Sequence, residues 1–225
     1  MSKVVDPSFE GDHCLSFKLA RLTRELPQFK NKFLECQSLL ESKRFTSFRS
    51  VNDVDVMFQD KGTETAFYAR MKVKAGARDL FDLIFAERET KSWNPYLKKT
   101  TRISENDDFV EIEHILQISP SLKLKTSRFF KTFFVEKSEL MIVEFHSDWK
   151  GPLNEFTPLI CLFSFRERSD KAGFVTQVDH VVITLKNEEC SRVTTDIISF
   201  HGVLQLEAAA LIHARKSLEE RVSSM

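Results

Sequence analysis

Aromatic rings that carry a polar handle are scarce in this chain: it has 2 Trp and 2 Tyr against 21 Phe. Phe makes no hydrogen bond through its side chain, so the bias suits a core or an apolar pocket. An excess of charge is also missing. Lys and Arg together number 33, as do Asp and Glu, so no net field draws in a polyanion and nucleic acid is not an expected partner. The four cysteines, Cys14, Cys36, Cys161 and Cys190, form no CxxC pair and have no nearby His at ligand spacing. That speaks against zinc and against a disulfide scaffold, so no metal and no cofactor is expected. No run approaches the roughly 18 to 20 apolar residues of a membrane span, and Met1 to Pro7 has no apolar signal core. Ser2 excludes the myristoylation pattern, and Val222 stands where a prenylated Cys would be. The expectation is a cytoplasmic monomer. GxSxG, HExxH, P-loop and GxGxxG signatures are absent too, so no catalytic residue is assigned and the protein is not expected to be an enzyme.

With 225 residues and no change of composition along the chain, one domain over 1–225 is expected, residues 1–12 forming a tail. Leu15, Leu19, Leu22 and Leu26 recur at helical spacing until Pro27; Phe29, Phe33, Cys36 and Leu40 then make a second stripe. Residues 13–43 are therefore predicted to form a helical hairpin. From residue 44 the period becomes two. Strands are predicted at 45–51, 54–60 and 64–74, with Asp60-Lys61-Gly62 as a turn, followed by a short helix through Ala77, Leu80, Phe81, Ile84 and Phe85. Trp93 after it reads as a core plug. Further strands fall at 98–104, 108–118, 123–135, 138–147, 158–168 and 173–186. Short polar links between them call for antiparallel neighbours in a meander. A long helix over about 195–222, with Phe200, Leu204, Ala208 and Leu211 on one stripe, closes the chain.

This pattern predicts an α+β fold in which a curved antiparallel sheet wraps around the long C-terminal helix. On the 108–118 strand the even positions Val110, Ile112, His114, Leu116 and Ile118 form one apolar face, taken as inward. Phe130 on the next strand, and Met141, Val143 and Phe145 on the one after, are assigned to the same lining. If one helix is the only cover, this lining exceeds what the helix can fill, and a ligand cavity follows. Ile112, His114, Leu116, Arg128, Phe130, Met141, Val143, Phe145, Phe200, Leu204, Ala208 and Leu211 are the candidate ligand-binding residues. A buried Arg128 needs a carboxylate or a ligand headgroup, and an ion pair with a nearby Glu is the default. The loop 148–156 mixes Trp149, Lys150, Gly151 and Phe156, so Trp149 and Phe156 are the candidates for transient contact with a membrane surface.

The segment from Met71 to Phe85, continuing to Ser92-Trp93-Asn94-Pro95-Tyr96, resembles the helix and tryptophan motif of the steroidogenic-acute-regulatory-related lipid-transfer (START) family. Ser127-Arg128-Phe129-Phe130 and Met141-Ile142-Val143-Glu144-Phe145-His146-Ser147 are similar in order and spacing to that family's arginine-led strand pair. The likeness extends over about 13–222. It departs at Asn94 and Phe129, where the family usually carries an acidic residue. The resemblance implies a helix-grip fold and a lipid ligand (sterol, phospholipid or sphingolipid) held in an internal cavity and exchanged at membranes. A lipid with two acyl chains loses on the order of 20 kcal/mol on entering water, so such a carrier must open at the membrane. The alternatives are a cyclase- or hydratase-type enzyme on the same cavity, which needs two converging polar groups such as His114 with a carboxylate, and a ligand-free cochaperone-like interaction module.

Overall fold

The computed structural model describes residues 13–42, 45–51, 53–86, 94, 96–116, 125–136, 138–146, 156–170, 173–186, 216 and 220. Two helices open the chain, α1 (His13–Glu25) and α2 (Phe29–Glu41). They are separated by the turn at Pro27, whose ring cannot continue a helix. Among the described residues nine strands follow: β1 (Thr46–Val51), β2 (Val54–Asp60), β3 (Glu64–Val73), β4 (Leu97–Glu105), β5 (Val110–Leu116), β6 (Lys125–Glu136), β7 (Glu139–Phe145), β8 (Phe156–Asp170) and β9 (Gly173–Lys186). A third helix, α3 (Ala77–Phe85), lies between β3 and β4.

All nine strands join one antiparallel sheet in the order β1-β2-β3-β9-β8-β7-β6-β5-β4. The expected single meander is corrected here. β3 pairs with β9, not β4, through ten consecutive positions from Glu64↔Leu185 to Val73↔Thr176. Two meanders are thus sealed along β3 and β9. The link from β3 to β4 contains α3 and is not short, so it can carry the chain away to the far edge before the second meander begins.

Each face of the sheet has a helical cover. On one face α1 and α2 bury Leu22, Phe29, Phe33 and Cys36 against Tyr68, Phe134, Met141, Val143, Phe145, Leu162 and Val181. Phe29 and Phe33 reach Phe134 and Phe145 with ring centroids 4.8–6.3 Å apart. Each such ring removed from water contributes about 2 kcal/mol before packing is counted. On the opposite face α3 buries Leu80, Phe81 and Ile84 against Phe67, Met71, Ile142, Phe163, Phe165 and Val178. A side chain from the sheet caps α3: the Ala77 amide donates to Glu167 Oε1 at 2.9 Å, placing a carboxylate at the positive end of the helix dipole.

The predicted closing helix, with Phe200, Leu204, Ala208 and Leu211, lies outside the described residues, as do the tail 1–12, Trp93 and Trp149. Lys216 and Glu220 are described; both are helical and exposed. Leu116 and Phe156 are placed in β5 and β8 by their backbones alone.

Candidate functional site

Directly paired residues of an antiparallel ladder point to the same face, so register carries one row across the α3 side of the sheet. Lys131 on β6 faces Glu144 on β7, and Glu144 faces Cys161 on β8. One step along, Ile142 faces Phe163, which faces His180 on β9. At the β5 end, Ile112 faces Phe129 and His114 faces Ser127. His146, just past the end of β7 and two residues from Glu144, continues that parity: its ring lies 5.1 Å from Phe129, and its Nδ1 is 3.2 Å from Ser127 Oγ.

The α3 face thus holds an unusual amount of buried polarity. His114 is 8% exposed and meets Phe129 edge-on at 4.8 Å. Burial pushes its pKa down to about 3, and the charges of Lys131 and His146 add to that. His180 lies flat on Phe163 at 3.9 Å and is held by burial at about 3. His146 keeps some accessible surface, yet protein crowds its ring enough to lower its pKa to about 4. All three imidazoles are neutral at physiological pH, the form whose burial costs least. Lys131 is only 2% exposed. Its Nζ donates to the Ile84 carbonyl in the last turn of α3 at 2.7 Å and faces Glu144 Oε1 at 3.3 Å, which provides the partners a buried cation requires.

Of the candidates read from the sequence, Ile112 and His114 lie on this face, both buried. Five others lie on the opposite face. Arg128 and Phe130 alternate with Phe129 and so point the other way. Arg128 is half exposed and bound to Glu111, with Nε 2.7 Å and NH2 2.6 Å from Oε1, the ion pair that was its default. Phe130 packs edge-on against Phe109 at 4.9 Å. Met141, Val143 and Phe145 lie beneath the α1–α2 hairpin and pack with Leu22, Phe29 and Phe33. Because helices cover both faces of β7, Leu140, Met141, Ile142 and Val143 form an unbroken apolar run, and alternation no longer tells the two faces apart.

What sequence reasoning missed is Lys131 and the meeting of Glu144, His146 and Cys161, whose ligand-type atoms all lie within 4.8 Å of one another; His146 alone is a weaker case of the same kind as His114. His146 Nε2 is 3.9 Å from Cys161 Sγ. The i, i+2 spacing of Glu144 and His146 was the available local signal; Cys161 joins them only through the β7–β8 pairing. His114, one example of a group that could converge with a second polar group in an enzyme, feels the charges of Lys131 and His146. An open pocket of about 350 Å³ lies at the other side of the β7 end, between Pro27 of the hairpin turn, Lys32, Phe145 and His146.

No protein-family model matches the sequence, and no curated protein is significantly similar to it. Solved structures are. Human StAR-related lipid transfer protein 5 superposes with a TM-score of 0.68 over 88% of this chain and 98% of that one, at 9% identity. The fold is START-like. The lipid transfer and protein localization domain of human StarD13 (DLC2) follows the same path with a TM-score of 0.61 over 83% of this chain and 95% of that one, at 13% identity. The di-domain ARO/CYC StfQ from the steffimycin biosynthetic pathway gives a TM-score of 0.50 over 72% of this chain and 53% of that one, at 12% identity. The START-like fold is α+β, of the helix-grip kind, and the α3 face of its sheet carries the buried polar row.

Proposed function

We propose that this protein binds one lipid molecule against the α3 face of its sheet and exchanges it at membrane surfaces. The observation that carries the reading is the near-complete superposition on human StAR-related lipid transfer protein 5. The chemistry of the face supports it. Ile112, Phe129 and Phe163 give apolar contact, while His114 and His180, kept neutral by burial, suit an uncharged polar group on an otherwise greasy ligand. The C-terminal segment, with Phe200, Leu204, Ala208 and Leu211, supplies the cover in this proposal, and Trp149 and Phe156 the membrane contact. Catalysis is not part of this role, and the working location is the cytoplasm.

The test is extraction. Protein purified from cells should release lipid into organic solvent, and native mass spectrometry of delipidated, reloaded protein should show one ligand per chain. Protein that carries no lipid and takes none up from vesicles would end the proposal.

A cyclase-type enzyme is the second reading, favoured by the fold shared with ARO/CYC StfQ and by the approach of Cys161 Sγ to His146 Nε2. It requires turnover of a bound small molecule that is lost in His146→Ala, whereas a pure carrier converts nothing it binds.

A further inference from the structure

We propose that Glu144, His146 and Cys161 form a binding site for a single divalent metal ion of the zinc class. The inference goes beyond the lipid reading and is independent of it. Glu144 and Cys161 are direct partners across the β7–β8 ladder, and His146 lies on the same face two residues from Glu144. A rigid sheet therefore presents a carboxylate, an imidazole and a thiol toward one point, with every donor atom within 4.8 Å of the others. A tetrahedral ion with Zn–S of about 2.3 Å and Zn–N of about 2.0 Å separates those two donors by about 3.5 Å. The observed Nε2 to Sγ distance is 3.9 Å, so a small side-chain adjustment closes the site.

The surroundings are those that metal ligands require. Ser127 Oγ lies 3.2 Å from His146 Nδ1; with Nδ1–H donating to that hydroxyl, Nε2 is left with its lone pair directed at Cys161. Lys131 Nζ faces one oxygen of Glu144 at 3.3 Å, fixing the carboxylate while leaving its other oxygen for an ion. A thiolate and a carboxylate bring two negative charges to the ion, the carboxylate being shared with the Lys131 ammonium. Mixed sulfur, nitrogen and oxygen donors select zinc over calcium or magnesium, which take oxygen alone. Three protein ligands leave the fourth tetrahedral position for water or a polar group of another molecule. Cys36 provides an internal control: it is completely buried beneath the hairpin, on the opposite face of the sheet from these ligands.

The experiment is a titration of the full chain, stripped with chelator, using Co²⁺ as the probe and Zn²⁺ as competitor. One equivalent of Co²⁺ should bind with a thiolate-to-cobalt charge-transfer band in the near ultraviolet, and one equivalent of Zn²⁺ should remove it. The band should vanish in Cys161→Ser, persist in Cys36→Ser, and require at least tenfold more Co²⁺ in Ser127→Ala. Zn²⁺ should raise the melting temperature of the native chain and leave that of Cys161→Ser unchanged, both being folded without metal by circular dichroism. Absence of stoichiometric Co²⁺ binding, or a thiolate band that survives Cys161→Ser, overturns the site. Either result leaves the lipid reading standing, because that is measured by extraction.

Discussion

Three imidazoles on one face of the sheet, His114, His146 and His180, are kept neutral by burial, and this gives the protein a built-in sensitivity to acid. A histidine whose folded pKa lies below its ordinary value of 6.5 binds its proton more readily once unfolded. The stability held in the neutral form is then complete above about pH 6.5 and is lost as pH falls toward the folded value. By pH 5, His114 and His180 should each have withdrawn about 2 kcal/mol. Urea midpoints measured at pH 7.5 and pH 5 check this. His180→Phe keeps an aromatic ring on Phe163 and removes the titration, so the difference between the two pH values should shrink by about 2 kcal/mol. An undiminished difference would place the acid sensitivity elsewhere in the molecule.

The α1–α2 hairpin is stabilised chiefly by what it buries, since isolated helices of 13 residues are marginal in water. Phe33 is fully buried between Phe29 and Phe134, while its neighbour Leu34 is 45% exposed. Phe33→Ala should cost about 3–5 kcal/mol in denaturant unfolding, and Leu34→Ala should stay within about 0.5 kcal/mol of the native chain. Equal losses in the two variants would show that the hairpin does not dock as described. The β2–β3 turn obeys backbone geometry instead. Gly62 adopts φ +80°, its amide donates to Asp60 Oδ1 at 2.9 Å, and an added Cβ would touch nothing within 4 Å. Gly62→Ala therefore meets only the conformational penalty of a left-handed residue and should cost about 1–2 kcal/mol. A neutral outcome would mean that the turn relaxes into another form. Asp60-Lys61-Gly62 was legible as a turn in the sequence because such chemistry is local, as was the Pro27 break between the helices.

At the scale of the whole molecule the decisive feature is a sheet with two covered faces and only one proposed for a ligand. Ile112→Trp adds bulk on the α3 face and should cut lipid loading at least tenfold while unfolding stays cooperative. Phe130→Ala, on the other face, should load as the native chain does. Loading followed by native mass spectrometry separates them, and equal loading in both variants would remove the ligand from the α3 face. Among the described residues, strand and helix positions could be read along the chain within a few residues, since periods of 2 and 3.6 are written by neighbouring side chains. The joining of β3 to β9 could not, nor could the choice of face for Met141, Val143 and Phe145, nor the meeting of Glu144, His146 and Cys161. Hydrophobicity along one strand states that a face is buried without saying which cover buries it. Here both sides are covered, and register is fixed by partners as distant as Tyr68 and Asp179, whose side chains meet across β3 and β9 at 2.5 Å. Local pattern determined the elements; the pairing of remote strands decided which side chains share a site, because one residue of register moves every side chain to the opposite face.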